Sequence, residues 1–373
     1  MKLNKKPLLV ITLSLFISSA FANTDNLQEI QQEALQGNML AQGLLGWKYA
    51  NGEGVAQSYD KAIEWYNKAA DQGYATAQSA LGFMYIQGEG VAQSDAKAFE
   101  WFKKAADQGE KIAQSKLGMM YATGQGVAQN DTKAFEWYSK AAIQGDVDAQ
   151  YIVGMMYANG VGVAKNDIKA VEWYDKAVAQ GYAPAQYNLG VMYYSGRGVT
   201  RSAKKAFELH HKAAMQGEVD AQMSLGMLYQ YGDGVEQDYG KSIEWYSKAA
   251  VQGHVYAQYN LGCLYYAGEG ITQSYTKALE FFRKAADQGL VDAQNNLGVM
   301  YMNGQGTPQN FALANEWYLK AANNGNTMAQ FNIGMSYLNG DNGLPKNRVQ
   351  ALQWLKKAAD NGHAQAKLML VGL

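Results

Sequence analysis

One spacing, 36 residues, governs nearly all of this 373-residue chain and restricts what it can fold into. The pair Ala-Gln begins at Ala41 and recurs at that spacing until Ala329. A glycine follows each of these alanines five residues later, and a tyrosine follows each of those glycines after three more. Two further glycines, Gly52 and Gly54 in the first copy, come next in the same register. A period of this length is typical of repeat arrays in which each copy is one supersecondary unit.

The glycine content has the same period. All 40 glycines except Gly43, Gly240 and Gly372 lie in one of four recurring positions. The chain is 48% hydrophobic and 12% aromatic, which is too apolar for a disordered chain. The glycines are therefore regular punctuation in a folded repeat.

The first half of each unit is predicted to be a helix. Ala41, Leu45 and Tyr49 are spaced at i, i+4 and i+8, which places them on one helical face. Gly46 lies inside this helix and costs about 1 kcal/mol relative to alanine. Because that cost recurs in every copy, we expect a second helix to approach closely at this position. The Gly52/Gly54 loop then ends the first helix.

The second half of each unit is predicted to be another helix with a capped start and an apolar stripe. In the first copy the stripe is Ala62, Trp65, Tyr66, Ala69 and Ala70. The residue before each second helix is one whose side chain caps helix N-termini well. These predicted N-caps are Ser58, Ser94, Asn130, Asn166, Ser202, Asp238, Ser274, Asn310 and Asn347.

Two helices of this length cannot bury their apolar stripes alone and must stack on neighbouring units. The predicted fold is therefore all-α: a right-handed α-solenoid of nine 36-residue helix-turn-helix repeats over residues 38–373. Residues 364–373 are expected to form a closing helix, and residues 23–37 an N-terminal capping helix.

Residues 1–22 have the pattern of a secretory signal peptide. Lys2, Lys5 and Lys6 precede a short apolar run, and Ala20-Phe21-Ala22 fits the cleavage pattern. The alternative is an uncleaved anchor, but the apolar run is short for a bilayer span. We expect an exported protein, periplasmic or secreted, with no membrane span.

The composition excludes several classes of function. The 32 Lys and Arg residues nearly balance the 33 Asp and Glu residues, so nucleic acid is not an expected partner. One cysteine, Cys263, allows neither an intrachain disulfide nor a cysteine-based zinc site. The histidines, His210, His211, His254 and His363, are expected at the surface or at helix caps rather than as metal ligands. No cofactor, metal site or catalytic residue is predicted.

The repeat resembles the Sel1-like repeat family, a branch of the tetratricopeptide-like helical repeats. The resemblance covers residues 38–373 and rests on the first copy's signature and its later equivalents. That signature is Ala41-Gln42, Leu45-Gly46, Tyr49, Gly52-x-Gly54-Val55, Asp60-Lys61-Ala62, Trp65-Tyr66 and Lys68-Ala69-Ala70-x-Gln72-Gly73. The resemblance implies a non-catalytic adaptor that binds proteins, and for exported bacterial members a link to host contact or envelope processes. A cysteine-rich branch associated with penicillin binding or β-lactamase activity has a disulfide in each repeat, which this chain lacks.

Alignment with tetratricopeptide units implies that five positions per repeat line the concave face. In the first repeat these positions are Leu40, Gly43, Trp47, Ala50 and Asn51. They vary between repeats and are rich in Tyr and Met, which favour protein-binding surfaces. The candidate partner-binding residues are Tyr151, Tyr187, Tyr194, Met223, Tyr231, Tyr259, Tyr266 and Phe331. The alternative is that they only fill gaps between neighbouring first helices.

The sequence thus predicts an exported scaffold that binds a protein or peptide partner. The competing interpretation is a periplasmic enzyme or ligand binder that acts on β-lactams or peptidoglycan. A third expectation is self-association through the apolar C-terminal helix. Asp148, Asp220 and Asp292 recur at every second unit and would orient a basic partner or stabilise helix N-termini.

Overall fold

The computed structural model describes residues 26–340 and 343–372, so the signal-peptide prediction for residues 1–22 lies outside the described residues. The described part contains twenty α-helices and no strand. The helices are α1 (Leu27–Leu35), α2 (Met39–Asn51), α3 (Tyr59–Asp71), α4 (Ala75–Gln87), α5 (Asp95–Asp107), α6 (Lys111–Thr123), α7 (Asp131–Ile143), α8 (Val147–Asn159), α9 (Asp167–Ala179), α10 (Ala183–Ser195), α11 (Ala203–Met215), α12 (Val219–Tyr231), α13 (Tyr239–Val251), α14 (Val255–Ala267), α15 (Tyr275–Asp287), α16 (Val291–Asn303), α17 (Phe311–Asn323), α18 (Thr327–Asn339), α19 (Arg348–Asp360) and α20 (Ala364–Gly372).

The helices belong to two compact units. Unit 1 is the chain up to Ala185 together with Arg197–Val199, and unit 2 is Gln186–Gly196 together with the chain from Thr200 onward. Within unit 1, each helix from α1 to α9 packs on the next one along the chain. Within unit 2, the same holds from α11 to α20. This consecutive packing of helix pairs confirms the predicted all-α solenoid.

The predicted helix ends are confirmed in detail. Gly52 has a φ of 72°, a left-handed conformation that suits glycine, and its N–H donates to the Lys48 carbonyl to end α2. The Ser58 Oγ accepts a hydrogen bond of 3.4 Å from the Lys61 backbone N–H at the start of α3. The same side-chain cap occurs at all nine second helices.

The glycine inside each first helix contacts a large side chain of the second helix, as its recurrence predicted. A Cβ built on Gly82 would lie 2.8 Å from Cε1 of Phe102, which is closer than real Cβ contacts allow. We call this contact the glycine seam. Its nine pairs are Gly46–Tyr66, Gly82–Phe102, Gly118–Tyr138, Gly154–Tyr174, Gly190–His210, Gly226–Tyr246, Gly262–Phe282, Gly298–Tyr318 and Gly334–Leu355. The second-helix member of every pair is buried.

The glutamine of each Ala-Gln pair joins neighbouring helices by hydrogen bonds. Gln78 is buried, and its Nε2 donates to the Ala70 carbonyl at 3.2 Å. Its Oε1 accepts a hydrogen bond of 2.8 Å from Nε2 of Gln108, at the end of the second helix of the same repeat. Because Ala70 belongs to the preceding repeat, one side chain ties three helices together. Buried polar groups need such partners, since an unpaired one costs about 1–3 kcal/mol.

The tryptophans of the second helices are less buried than the predicted stripe implied. Trp245 is 6% exposed and Trp317 is 7% exposed, but the Trp65, Trp101, Trp137 and Trp173 side chains are only half-buried. A lysine three residues later covers the ring; Lys68 Nζ lies 4.1 Å from the centre of the Trp65 ring. A cation over an aromatic face is favourable and leaves the charged group in water. The stripe is therefore buried at the Tyr66 position and partly solvated at the Trp65 position.

The glycine seam is tested by adding one methyl group at Gly298. A Cβ there would lie 2.5 Å from Cδ1 of Tyr318, so Gly298→Ala forces the two helices apart. We expect a loss of about 1–3 kcal/mol, despite the better helix propensity of alanine. The midpoint of urea unfolding, followed by circular dichroism, measures it.

Gly240→Ala is the matched control. Gly240 also lies in a helix, but its Cβ would meet only the Asp238 side chain, at 3.2 Å. Alanine there is expected to change stability by less than about 0.5 kcal/mol, because Gly240 lies in the first turn and its Cβ would meet only one side chain. Equal effects of the two substitutions would contradict the packing explanation.

Candidate protein-binding face

The predicted face is largely closed in the first repeat and more open in unit 2. In the first repeat, Gly43, Trp47 and Ala50 are buried, so most of the predicted positions are not accessible there. In unit 2 the equivalent positions are mostly half-buried or exposed. We call the equivalents of positions 40, 43, 44, 47, 50 and 51 on α12, α14, α16 and α18, together with the equivalents of positions 43, 44, 47, 50 and 51 on α10, the first-helix face.

Most of the predicted binding residues are half-buried and pack within their own unit. In unit 1, the Tyr151 ring lies 5.4 Å from the Tyr182 ring. In unit 2, the Tyr187 ring lies 5.3 Å from the His210 ring, and the Tyr259 ring lies 5.7 Å from the Phe282 ring. Tyr187 and Tyr259 thus pack on the second helix of their own repeat, which is a different place from the gap between neighbouring first helices that the alternative interpretation named. A binding role for them stays a prediction.

Two more predicted residues also have packing partners. Met223 is half-buried against the core formed by α13 and α14. Phe331 stacks on His363, with ring centres 4.3 Å apart and planes 14° apart. Both side chains keep part of their surface in solvent.

Tyr231 is the predicted residue with the most solvent exposure, at 65%. The structure adds Tyr256 and Met328, each 53% exposed, at the equivalents of position 40. That position belonged to the predicted face, but neither residue was singled out. Their exposure could have been predicted from the sequence, because a large apolar residue at a position outside the packed framework indicates a binding surface.

Tyr194 and Tyr266 each connect their repeat to the loop of the following one. The Tyr194 hydroxyl donates to Oδ2 of Asp233 at 2.7 Å, and the Tyr266 hydroxyl donates to Oε1 of Gln305 at 3.2 Å. Hydrogen bonds fix both rings, so they are rigid parts of the face. Rigid aromatic side chains lose little entropy when a partner binds.

Beside each of these two tyrosines lies a small cavity. The first, of about 80 Å³, is lined by Val191, Tyr194, His210, Ser224, Met227 and Leu228. The second, of about 110 Å³, is lined by Tyr266, Phe282, Asn296 and Val299. Ser224 and Asn296 lie at the position equivalent to Leu44, which the sequence analysis did not include in the face. The change at that position from Leu44 and Ile152 to polar residues in later repeats was the available signal.

The charges of unit 2 are segregated between its two helix layers. The five first helices of unit 2 contain no Lys or Arg, and their charged residues are Asp220 and Asp292. Both aspartates are exposed. The second helices carry the lysines. Lys248, Lys284 and Lys320 lie over aromatic rings of their own helices, and Lys205, Lys241 and Lys277 lie over tyrosines of the first helices. The first-helix face therefore combines apolar and uncharged polar residues with two acidic positions.

The histidine predictions are confirmed at two positions and wrong at a third. His254 and His363 are helix N-caps whose Nδ1 atoms accept hydrogen bonds of 3.2 Å from the Ala257 and Ala366 backbone N–H groups. His210 is not at the surface: it is 3% exposed, because it replaces the aromatic member of the glycine seam. Its Nδ1 has no hydrogen-bond partner within the described part of the chain. Burial lowers the pKa of His210 to about 4, so the ring is neutral near pH 7.

Nothing in the described residues points to a metal or redox centre. Cys263 is half-buried and free, and burial raises the pKa of its thiol. A raised pKa disfavours the thiolate, which is the nucleophilic form. Across residues 26–340 and 343–372, no three His, Cys, Asp or Glu side chains are grouped to hold a metal ion. In the same ranges, every helix is too short or too polar to cross a bilayer.

Comparisons with known proteins agree with the repeat architecture. The family model described as Sel1 repeat matches nine consecutive segments, at residues 40–74, 75–110, 111–146, 147–182, 183–218, 219–254, 255–290, 291–326 and 327–363. No curated protein sequence matches the chain.

Two similar solved structures each cover most of this chain. One is c5321, a protective antigen present in uropathogenic Escherichia coli strains that displays an SLR fold. It is 35% identical, with 95% of this chain and 84% of that chain covered and a TM-score of 0.68. The other is a Sel1 repeat protein from Oxalobacter formigenes, 34% identical, with 88% of this chain and 93% of that chain covered and a TM-score of 0.64.

Burial of His210 predicts a specific acid sensitivity. Its pKa is about 4 in the folded chain and about 6.5 when exposed, so the unfolded chain takes up the proton first. Burial of the neutral His210 ring therefore costs no stability from protonation above pH 6.5. The free energy of unfolding falls as the pH decreases from 6.5 toward 4. His210→Phe, which copies Phe282 at the equivalent position, removes this loss.

We expect the wild-type chain to lose about 3 kcal/mol more than His210→Phe between pH 7 and pH 4. Urea unfolding midpoints of the two proteins across that range measure the difference. Parallel losses in the two proteins would show that His210 is not the titrating group.

Proposed function

Because the chain belongs to the Sel1 repeat family, whose members generally mediate protein–protein interactions, we propose that it is an exported, non-catalytic scaffold that binds a protein or peptide partner on its first-helix face. The observation that supports this most is the exposure of Tyr231 and Tyr256 on that face. Aromatic residues left in solvent by a framework that buries its others are typical of protein-binding surfaces.

The exported location rests on the pattern of residues 1–22. Basic residues, an apolar run and Ala20-Phe21-Ala22 are what the secretion machinery recognises. The similarity to c5321, a protective antigen, supports a role where a host meets the cell. We place the protein in the periplasm or outside the cell, in envelope processes or host contact.

The alternative is an enzymatic activity on β-lactams or peptidoglycan. The histidine and cysteine side chains described above give it little support. His254 and His363 are occupied as helix caps, and His210 is buried in a neutral state. The Cys263 thiol has a raised pKa. None of these groups is poised as a nucleophile or a general base.

The proposed face is tested by removing its exposed aromatic rings. The double variant Tyr231→Ser, Tyr256→Ser changes residues that are mostly in solvent, so stability should be unchanged. We expect the variant to lose at least tenfold in the amount of partner it captures from an envelope extract of the cells that produce the protein. Quantitative mass spectrometry of the captured proteins measures it.

Val251→Ser is the control, because Val251 is 88% exposed at the end of a second helix. It should capture the same partner in the same amount as the wild-type chain. Full capture by the double variant, or equal losses in both proteins, would contradict binding on the first-helix face.

Helix α20 favours a second interaction, with another copy of the chain. Leu368 is 75% exposed and Val371 is 90% exposed on this helix. In the repeat register, Val371 occupies the position that is glycine in every complete repeat. A valine there leaves no room for a glycine-seam contact, but it adds apolar surface to the exposed side of α20, which supports self-association.

The self-association proposal predicts a dimer that depends on α20. Light scattering of the chain from residue 23 onward is expected to give twice the monomer mass at high concentration. Leu368→Glu should return it to a monomer, because a charge cannot be buried in an apolar contact without a partner. A wild-type monomer at all concentrations would remove this proposal.

A further inference from the structure

The two cavities on the first-helix face occupy equivalent places in the repeat. Tyr194 and Tyr266 are separated by 72 residues, which is two repeats, and the same separation relates His210 to Phe282. Ser224 and Asn296 are related in the same way. Each cavity is thus built by the end of one first helix, the seam residue of the same repeat and the next first helix.

The equivalence extends to the groups that hold the cavity walls. Each tyrosine hydroxyl donates to the residue between the loop glycines of the following repeat, Asp233 or Gln305. In the intervening repeat the tyrosine position is occupied by Gln230, whose Oε1 accepts from Tyr246 instead. The cavity with its hydrogen-bonded tyrosine is therefore present in two repeats that are separated by one repeat with Gln230 at the tyrosine position.

An acidic residue accompanies each cavity. Asp220 lies at the start of α12, which carries Ser224, and Asp292 lies at the start of α16, which carries Asn296. The Asp220 carboxylate is 55% exposed and lies 3.2 Å from Nε2 of His254. The Asp292 carboxylate accepts a hydrogen bond of 3.1 Å from Nδ2 of Asn326. The first helices of unit 2 carry no Lys or Arg, so neither acid has one of these cations on its own layer. A basic partner matches this charge.

The cavities match aliphatic side chains in size and lining. Their volumes, about 80 and 110 Å³, are below the ~150 Å³ of a cavity that accepts benzene. Met227, Leu228 and Val299 provide apolar walls. A leucine, isoleucine or valine side chain suits such a space, because burying its carbons yields about 25 cal/mol per Å².

The separation of the cavities indicates the spacing of the two side chains. Helices α12 and α14, consecutive first helices, contact each other. Packed helices lie about 8–10 Å apart, which places cavities two repeats apart at about 20 Å. An extended chain spans about 3.3 Å per residue, so about six residues bridge them.

We propose that unit 2 binds an extended, basic peptide segment whose two aliphatic side chains, about six residues apart, enter the two cavities while its Lys or Arg residues lie beside Asp220 and Asp292. The proposal rests on the proposed function and specifies the partner of that same face. Two linked anchors bind more tightly than either alone, because the second one binds intramolecularly.

A series of synthetic peptides tests the spacing on the wild-type chain. Each peptide has an N-terminal fluorescein, Lys at both ends and two Leu residues separated by three to nine positions, with Ser and Thr between them. Fluorescence anisotropy with the full chain gives the affinities. We expect the tightest binding at separations of five to seven, and at least tenfold weaker binding when one Leu becomes Ala or both Lys become Glu.

Cavity-filling variants test the location. Ser224→Leu and Asn296→Leu are each expected to weaken the best peptide at least tenfold. Val251→Leu adds the same kind of side chain to the end of a second helix, where Val251 is 88% exposed and lines neither cavity, and should leave the affinity unchanged. Circular dichroism melts show whether each variant is folded, and the peptide series does not depend on any variant.

Affinities that do not vary with Leu separation, or that survive both cavity-filling substitutions, would overturn the proposal. The outcomes distinguish failure of this proposal from failure of the proposed scaffold function. If Tyr231 and Tyr256 still govern partner capture while the peptides show no spacing preference, the scaffold stands and the two-cavity ligand is wrong. If capture is also independent of those tyrosines, both proposals fall.

Discussion

The packing of a glycine backbone against a buried side chain, a ring in eight repeats and Leu355 in the ninth, fixes the geometry of every repeat. With no Cβ at Gly82, the Phe102 ring lies where any other residue would place atoms, and the same holds at the eight equivalent contacts. The cost of glycine in a helix, about 1 kcal/mol, is offset by the close approach of the two helices. His210 shows that this position is buried even when the residue is titratable. The contact with Gly190 keeps the ring buried, and burial lowers its pKa.

A framework fixed in this way leaves the outer side of the first helices free to vary. The glycine seam, the Gln78-type hydrogen bonds and the Ser58-type caps account for the constant residues of the repeat. The positions outside these contacts carry different residues in different repeats. One such position is Trp47 in the first repeat and Val299 in the eighth. In unit 2 the lysines therefore lie on the second helices, and the exposed Tyr231 and Tyr256 lie on the first helices.

The sequence predicted the framework well because the repeat displays each constraint nine times. Helix ends, N-caps and the reason for Gly46 all followed from local chemistry that does not depend on distant contacts. The face was harder to predict, since the exposure of a tyrosine depends on its neighbour one repeat away. Tyr194 and Tyr231 have the same residue type on the same layer, yet one is fixed by Asp233 and the other is mostly in solvent. The burial of His210 was not predicted, because the expectation followed from the polar character of histidine. Its place at the buried Tyr66 position of the repeat would have predicted burial.

The central claim is that partner recognition depends on the first-helix face and that stability depends on the framework. The most direct measurement is partner capture by a chain in which the face positions of the fifth to ninth repeats carry the residues of the second repeat. Those donor residues are Thr76, Ser79, Ala80, Phe83, Ile86 and Gln87. We expect this chain to remain folded, because the second repeat already combines these residues with the same glycine seam, and to capture no partner. Capture at the wild-type level by a folded chimera would contradict the claim.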